Sequence, residues 1–198
     1  MKKPRIGIVI STTREGRFGE TPARWILDLA SERTDLDFEV VDLRDYPLPL
    51  YGEDGSSEPE VISRWSRKME ELDGYVFVTA EYNHSVPGVL KNALDHAYHE
   101  FNKKPAAFVG YGGVGGARAV EQLRLICIEL RMAPTRTAVH IGMEPLLGVR
   151  KKGKDLSDFD FLNKSAAATL HELAWWTQTL KAGRVREAKA EKPVGAAR

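Results

Sequence analysis

The sequence predicts a doubly wound α/β fold, a parallel β-sheet with helices packed on both faces. Three observations carry this expectation. Short runs rich in β-branched and aromatic residues recur along the chain, and helix-length amphipathic stretches separate them. Two of the runs, residues 6–10 and 75–79, are almost uninterrupted hydrophobes, the pattern of strands buried on both sides.

Taken in order, Ile6–Ile10 is the first strand, and Thr21-Pro22 after it reads as an N-cap and first helical residue. The helix so opened runs to about Arg33, with Ile26, Leu29 and Ala30 facing inward. The second run, Phe38–Leu43, carries Glu39 and Asp42, which suits a sheet edge. Val61, Ile62, Trp65, Met69 and Leu72 form the next helical stripe, leading to the third run, Tyr75–Thr79. Val89, Leu90, Ala93, Leu94 and Ala97 mark a third helix before the run Ala106–Tyr111. Val120, Leu123, Cys127 and Leu130 mark a fourth helix before the run Thr137–Ile141. A fifth helix, near Asp158–Leu180, presents Leu162, Ala166, Leu170, Leu173 and Leu180. Strict alternation of five strands and five helices fits a flavodoxin-like doubly wound five-stranded parallel sheet, order 2-1-3-4-5, with helices on both faces.

Residues 1–183 form a single domain in this reading, and 184–198, almost without large hydrophobes, form a disordered tail. Two Pro- and Gly-bearing segments, 44–59 and 142–157, are expected to be irregular and to serve as lids or interfaces. Twenty-nine Lys and Arg against 28 Asp and Glu leave a net charge of +1, too little for general attraction to nucleic acid or anionic lipid. No apolar stretch approaches the ~18 residues of a membrane span. The single cysteine, Cys127, lies in an apolar run, consistent with a buried thiol and a reducing cytoplasm. No nucleic-acid or membrane partner is therefore expected.

In open parallel sheets, ligands bind beyond the carboxyl ends of the strands. The first such loop, Ser11-Thr12-Thr13-Arg14-Glu15-Gly16-Arg17-Phe18-Gly19, offers hydroxyls, two guanidinium groups and a helix start, a composition that favours a dianionic phosphate and that also occurs in ordinary turns. After the third strand comes Glu81-Tyr82-Asn83-His84-Ser85-Val86-Pro87-Gly88. After the fourth comes Tyr111-Gly112-Gly113-Val114-Gly115-Gly116, whose glycines let the backbone approach a flat ligand. The predicted order makes these three strands neighbours. A phosphate at one end of a crevice and a planar heteroaromatic ring at the other describe a mononucleotide, best matched by FMN. Gly110-x-Gly112-x-x-Gly115 formally matches the dinucleotide fingerprint, but it follows the fourth strand rather than the first.

With these loops the chain resembles the NAD(P)H-dependent FMN reductase family of flavodoxin-like flavoproteins, whose relatives include quinone, azo-dye and chromate reductases. The resemblance covers roughly residues 5–140 and is most specific in Glu81-Tyr82-Asn83 followed by Pro87-Gly88-Val89-Leu90-Lys91-Asn92-Ala93-Leu94-Asp95. It implies that Ser11, Thr13 and Arg14 hold the flavin phosphate. Glu81, Tyr82, Asn83 and His84 would contact the ring system, and Gly112, Gly113 and Gly116, beside Tyr111, would support its other side. Many members carry Ser and Asn where this chain has Arg17 and Gly19, so those two are candidates for compensating phosphate contacts. Ala80 stands where the family usually has Pro.

The resemblance also implies a ping-pong cycle with FMN as cofactor and NADPH or NADH as co-substrate. Electrons would pass to a small-molecule acceptor such as a flavin, quinone or azo compound, and the protein would be a homodimer or a tetramer of dimers. No side-chain acid or base is required, because the cofactor carries the chemistry. The other class considered is a flavodoxin-type electron carrier or flavin-binding regulator without nicotinamide turnover. Carriers of that type are strongly acidic for docking, and this chain is nearly neutral.

His84 has an equal reading as a loop residue bonded to a neighbouring carbonyl, and Ser85 beside it makes no triad. Asp95, His96 and His99 read as a helix end rather than a metal site. Trp175-Trp176 reads as core and subunit packing, and Tyr51 as a wall of the partner subunit's flavin. The basic cluster from Arg150 to Lys154 reads first as a solvated loop and second as an attractor of the NADPH 2′-phosphate.

Overall fold

In a computed structural model, residues 2–53 and 60–190 are described. The sheet is parallel in the order 2-1-3-4-5, as the alternation predicted. Strand β1 (Arg5–Ile10) lies between β2 (Asp37–Asp42) and β3 (Gly74–Ala80), and β3 pairs along its far side with β4 (Pro105–Tyr111). Every residue of β3 and β4 is buried, which is why these runs tolerate no charge.

The fifth position is shared by two short strands, β5 (Ala133–Pro134) beside Pro105–Ala106 and β6 (Val139–Ile141) beside Val109–Tyr111. The expected single strand over 137–141 is thus corrected to this broken edge. The reason is a competing acceptor: the amides of Arg136 and Thr137 donate to the Glu172 carboxylate at 2.8 and 2.9 Å instead of joining the ladder.

Period-2 alternation splits the core between the two faces. Ile6, Ile8, Ile10, Val76 and Val78 face α1 (Glu20–Ser31) and the C-terminal helix, where Ile26, Leu170 and Leu173 meet them. Val9, Tyr75 and Phe77 face α2 (Glu60–Glu71), α3 (Gly88–Asp95) and α4 (Ala117–Glu129), packing on Trp65, Leu90 and Leu123. Truncating a fully buried ring such as Phe77 in this layer costs on the order of 3–5 kcal/mol.

Other expectations need correction. Helix α1 begins at Glu20, ahead of Thr21, because the Gly19 carbonyl already accepts the Ala23 amide at 3.2 Å. Within the segment read as irregular over 142–157, α5 (Met143–Lys152) forms, ended by Gly153 in the left-handed conformation at φ 63°. Arg150, Lys151 and Lys152 occupy its last turn, where cations suit the helix dipole. The helical signal was hidden because Pro145 and Gly148 count as loop residues locally. In the fold both are buried, and Gly148 lies against Phe159.

The last helix, α6 (Asp160–Ala190), extends through the stretch expected to be disordered from Arg184. Polar contacts hold it where hydrophobes run out. Arg184 donates to Asp73 at 2.7 Å and to the Lys103 carbonyl at 2.6 Å, Lys181 donates to Asp73 at 2.7 Å, and Lys103 pairs with Glu187. Residues 191–198 of the expected tail, and 54–59 of the expected second loop, lie outside the described residues. Trp175 is 58 % exposed and so is not core, and Trp176 meets it edge-on at 4.9 Å. Val89, expected to face inward, is also exposed.

Candidate functional site

The loop leaving β1 is tied down from within. The Ser11 amide and hydroxyl both donate to the Val78 carbonyl, at 3.1 and 2.8 Å, and Ser11 is fully buried. The Thr12 hydroxyl meets that of Tyr111 at 3.3 Å. Arg17 is also buried: Nη1 and Nη2 grip the Asp42 carboxylate, Nη1 donates to the Thr12 carbonyl, and Nε donates to Glu20 at 3.1 Å. Partial burial works against ionisation of Asp42, yet the Arg17 hydrogen bonds hold its carboxyl below the usual range. Gly19 sits where a Cβ would stand 2.9 Å from the Tyr111 hydroxyl. Ser11, Arg17 and Gly19 therefore form the inner support of the loop. Arg14 is exposed, Thr13 is half-buried, and the Arg14 guanidinium has no ion-pair partner among the described residues.

Arg44, just past β2, was not among the sequence candidates. Its Nε donates to the Thr13 carbonyl at 3.1 Å, Nη2 to the Arg14 carbonyl at 2.6 Å, and Nη1 to Glu20 at 3.0 Å. Nothing local in the sequence signals this role, because the partners are about 30 residues away.

After β3, the Glu81 amide donates to the Tyr111 carbonyl at 3.0 Å. Its carboxylate turns inward, accepting the Arg118 side chain at 2.6 Å and the Arg118 amide, at the start of α4, at 3.1 Å. Desolvation opposes this, but the Arg118 contacts prevail and hold the Glu81 carboxyl below its ordinary range. Tyr82 and Ser85 then exchange amide–carbonyl bonds of 3.0 and 3.1 Å across a two-residue turn. Asn83 and His84 occupy its centre with φ of 49° and 73°, the left-handed pair that a primed turn requires. Asn accepts this region readily; His does so under strain, a condition that recurs where side chains are displayed to ligands. The turn presents Tyr82, Asn83 and His84 to solvent.

After β4, Tyr111 is buried against Phe18, edge to face at 5.5 Å, and burial pushes its phenol up. The Gly112 amide donates to Ile141 at 3.2 Å, and Gly115 to the Gly112 carbonyl at 3.0 Å, closing a turn. Gly116 has φ 69° and packs against the backbone of Gly110 and Tyr111. Gly113 is exposed, and no atom stands within 4 Å of the place its Cβ would take.

One cleft of 140 Å³ is lined from all three loops: Arg14 and Phe18 from the first, Glu81 and Tyr82 from the second, Tyr111 and Gly112 from the third. Helix α5 adds Leu146 and Arg150, whose guanidinium lies 5.4 Å from the Phe18 ring centre. Asn83, His84 and Gly113 are exposed on the same loops without lining the cleft. The exposed Arg14 cation, beside the aromatic walls of Phe18, Tyr82 and Tyr111 and the Gly112 backbone, suits a ligand that is anionic at one end and flat at the other, and the half-buried Thr13 hydroxyl adjoins Arg14 outside the cleft lining. The donor set thus fits FMN. Sequence reasoning missed Phe18 and Leu146 and treated Arg150 only as part of a charge cluster; the i,i+4 spacing that sets Leu146 and Arg150 on one helix face was legible only once α5 was recognised as a helix.

The model of a protein family described as NADPH-dependent FMN reductase matches residues 4–145. An NAD(P)H-dependent FMN reductase of Schizosaccharomyces pombe is 37% identical over 153 residues, spanning 73% of this chain and 76% of that protein. A 2-hydroxy-1,4-benzoquinone reductase of a Burkholderia species is 37% identical over 134 residues, spanning 64% of this chain and 71% of that one. Among solved structures, a flavoenzyme NAD(P)H:(acceptor) oxidoreductase from Paracoccus denitrificans superposes with a TM-score of 0.70 at 23% identity, over 89% of this chain and 98% of its own. That likeness shows the shared fold.

Proposed function

From the premise that this chain belongs to the NADPH-dependent FMN reductase family, we propose that its three-loop cleft is the flavin site of an NAD(P)H:quinone-type reductase. The protein is an FMN-dependent oxidoreductase that draws electrons from NAD(P)H. The observation that carries the site assignment is a cleft lined from the ends of three adjacent strands. When bound, FMN supplies a ring that takes up hydride and passes electrons to an acceptor.

The roles of the chain's own residues follow. Thr13 and Arg14 bind the phosphate, with Ser11 and Arg17 holding the loop from behind. Glu81, fixed by Arg118, sets the path of the second loop, from which Tyr82 on the cleft wall, and the exposed Asn83 and His84 beside it, would contact the ring. Gly112 and Gly113 would leave the backbone open to the ring, with Gly116 fixing the turn behind them, and the buried pair Tyr111 and Phe18 would help exclude water. Arg150 lines the cleft, and this supports assigning to it, among the basic cluster, the 2′-phosphate of NADPH.

Quinones are the acceptor class we favour, because a 37% identical relative is a benzoquinone reductase. We also infer a homodimer, or a tetramer of dimers, built on the apolar residues exposed on and beside α3: Leu50, Tyr51, Tyr82, Val89 and Tyr98. The lone cysteine, free and buried, accords with a cytoplasmic setting.

The test is direct. Purified protein is heated, any released chromophore is identified by chromatography, and NADPH oxidation is followed with a benzoquinone acceptor. Released FMN with parallel double-reciprocal lines supports the reading. A preparation that stays colourless after incubation with FMN overturns it, and a yellow protein without nicotinamide turnover indicates a carrier. Sedimentation analysis separates dimer from monomer.

A further inference from the structure

The Thr12, Thr13 and Arg14 carbonyls are all occupied from one side. Arg17 takes the first, and the Nε and Nη2 of Arg44 take the second and third. The two guanidinium groups are themselves locked together, since the same Glu20 Oε1 accepts Arg17 Nε at 3.1 Å and Arg44 Nη1 at 3.0 Å, while Asp42 grips Arg17 and accepts the Arg44 amide at 2.9 Å. In a planar trans peptide the carbonyl of one residue and the N–H of the next point in opposite directions. Each carbonyl held by an arginine therefore turns the amide that follows it, that of Thr13, Arg14 or Glu15, away from that arginine. Successive amides aligned in this way form a site for an anion.

We propose that Arg44, braced by Glu20 and Arg17, is a positioning residue that aligns these three backbone amides toward the flavin phosphate. This rests on the flavin-site reading above and deepens it. Arg44 acts through the loop and not through its own charge. Three of its five N–H donors, one on each guanidinium nitrogen, are committed to Thr13, Arg14 and Glu20, which fixes the plane of the fork against the loop. The consequence is a separation between charge and geometry. Lys at position 44 keeps the charge but cannot span two carbonyls and a carboxylate with a planar fork. Gln at position 20 removes a negative charge near the phosphate, which by attraction alone would tighten an anion, yet it also unfastens both arginines.

The test compares FMN with riboflavin, which lacks the phosphate, by quenching of flavin fluorescence on the full-length chain. Arg44→Met and Arg44→Lys should each weaken FMN at least tenfold while leaving riboflavin within twofold. Glu20→Gln, at a side chain more than half exposed, should weaken FMN severalfold rather than strengthen it. Retention of the wild-type preference for FMN in Arg44→Met, recovery of FMN binding in Arg44→Lys, or tighter FMN in Glu20→Gln overturns the inference while leaving the flavin site standing. A parallel loss of both flavins also overturns it. Wild-type protein that binds neither flavin overturns the flavin-site reading and this inference together.

Discussion

A Cβ placed on Gly116 would stand 2.5 Å from the amide nitrogen of Tyr111, at a residue whose φ is already 69°. Both the contact and the backbone region exclude other side chains, because the opposing atom is main chain and cannot swing aside. Gly116→Ala should therefore destabilise the protein by about 2–4 kcal/mol, lowering Tm by roughly 5–10 °C. Gly113→Ala, in open space, should melt within about 1 °C of wild type, and a loss of flavin affinity in it would show that the bound ring reaches beyond the cleft to this glycine. Thermal melts and flavin titrations on the pair check this, and equal melting losses would show that the loop is tight throughout.

Arg14 is the exposed cation of the first loop, and its guanidinium forms no ion pair among the described residues. Loss of a charge-assisted bond of about 1.5–3 kcal/mol predicts that Arg14→Ala weakens FMN by about 10–100-fold and riboflavin hardly at all. Unaltered FMN affinity would show that the phosphate lies elsewhere.

Arg150 lines the cleft, whereas the Lys154 amine lies 5.1 Å from the Phe159 ring and Lys152 is exposed. Arg150→Glu should raise the KM for NADPH several times more than that for NADH. Lys152→Glu should change the two by similar, small factors. Equal effects of Arg150→Glu on both donors would remove the 2′-phosphate from its role.

Lys104 enters the sheet floor 5 % exposed, donating at 2.9 Å to the Met69 and Glu70 carbonyls at the end of α2. Burial drives its pKa down to about 8 from the ordinary 10.5. Between these values the unfolded chain binds the proton that the folded chain has released, so stability rises with pH across this window. The cost of the buried charge, about 3 kcal/mol below pH 8, fades toward pH 10.5. The unfolding free energy of wild type relative to Lys104→Met should therefore climb between pH 7.5 and 10, measured by urea titration; a flat difference would mean that the amine is solvated.

Much of the fold was legible because uninterrupted hydrophobic runs such as Tyr75–Val78, short and bounded by helix-length stretches, fit a strand covered on both faces. The broken fifth strand was not, since it depends on Glu172, which reaches Arg136 and Thr137 from 35 or more residues away. In the site, Arg14, Tyr82 and Gly112 were recognisable from loop composition and family resemblance, and all three line the cleft. Arg17 was legible as a charged loop residue but not as an internal brace, because its role depends on Asp42, 25 residues downstream. Helix α5 was masked by Pro145 and Gly148, residues whose local preference is overruled by packing on Phe159 and the core beneath.

Asp73 precedes β3 and gathers the Arg5 amide, Lys181 and Arg184, fastening both ends of the described chain to the floor of the sheet, opposite the carboxyl-end loops. A surface or electrode tethered through the last turns of α6 therefore pulls on the pole away from the cleft. Immobilised in that orientation, the enzyme faces its substrates, and its ion-paired base bears the load.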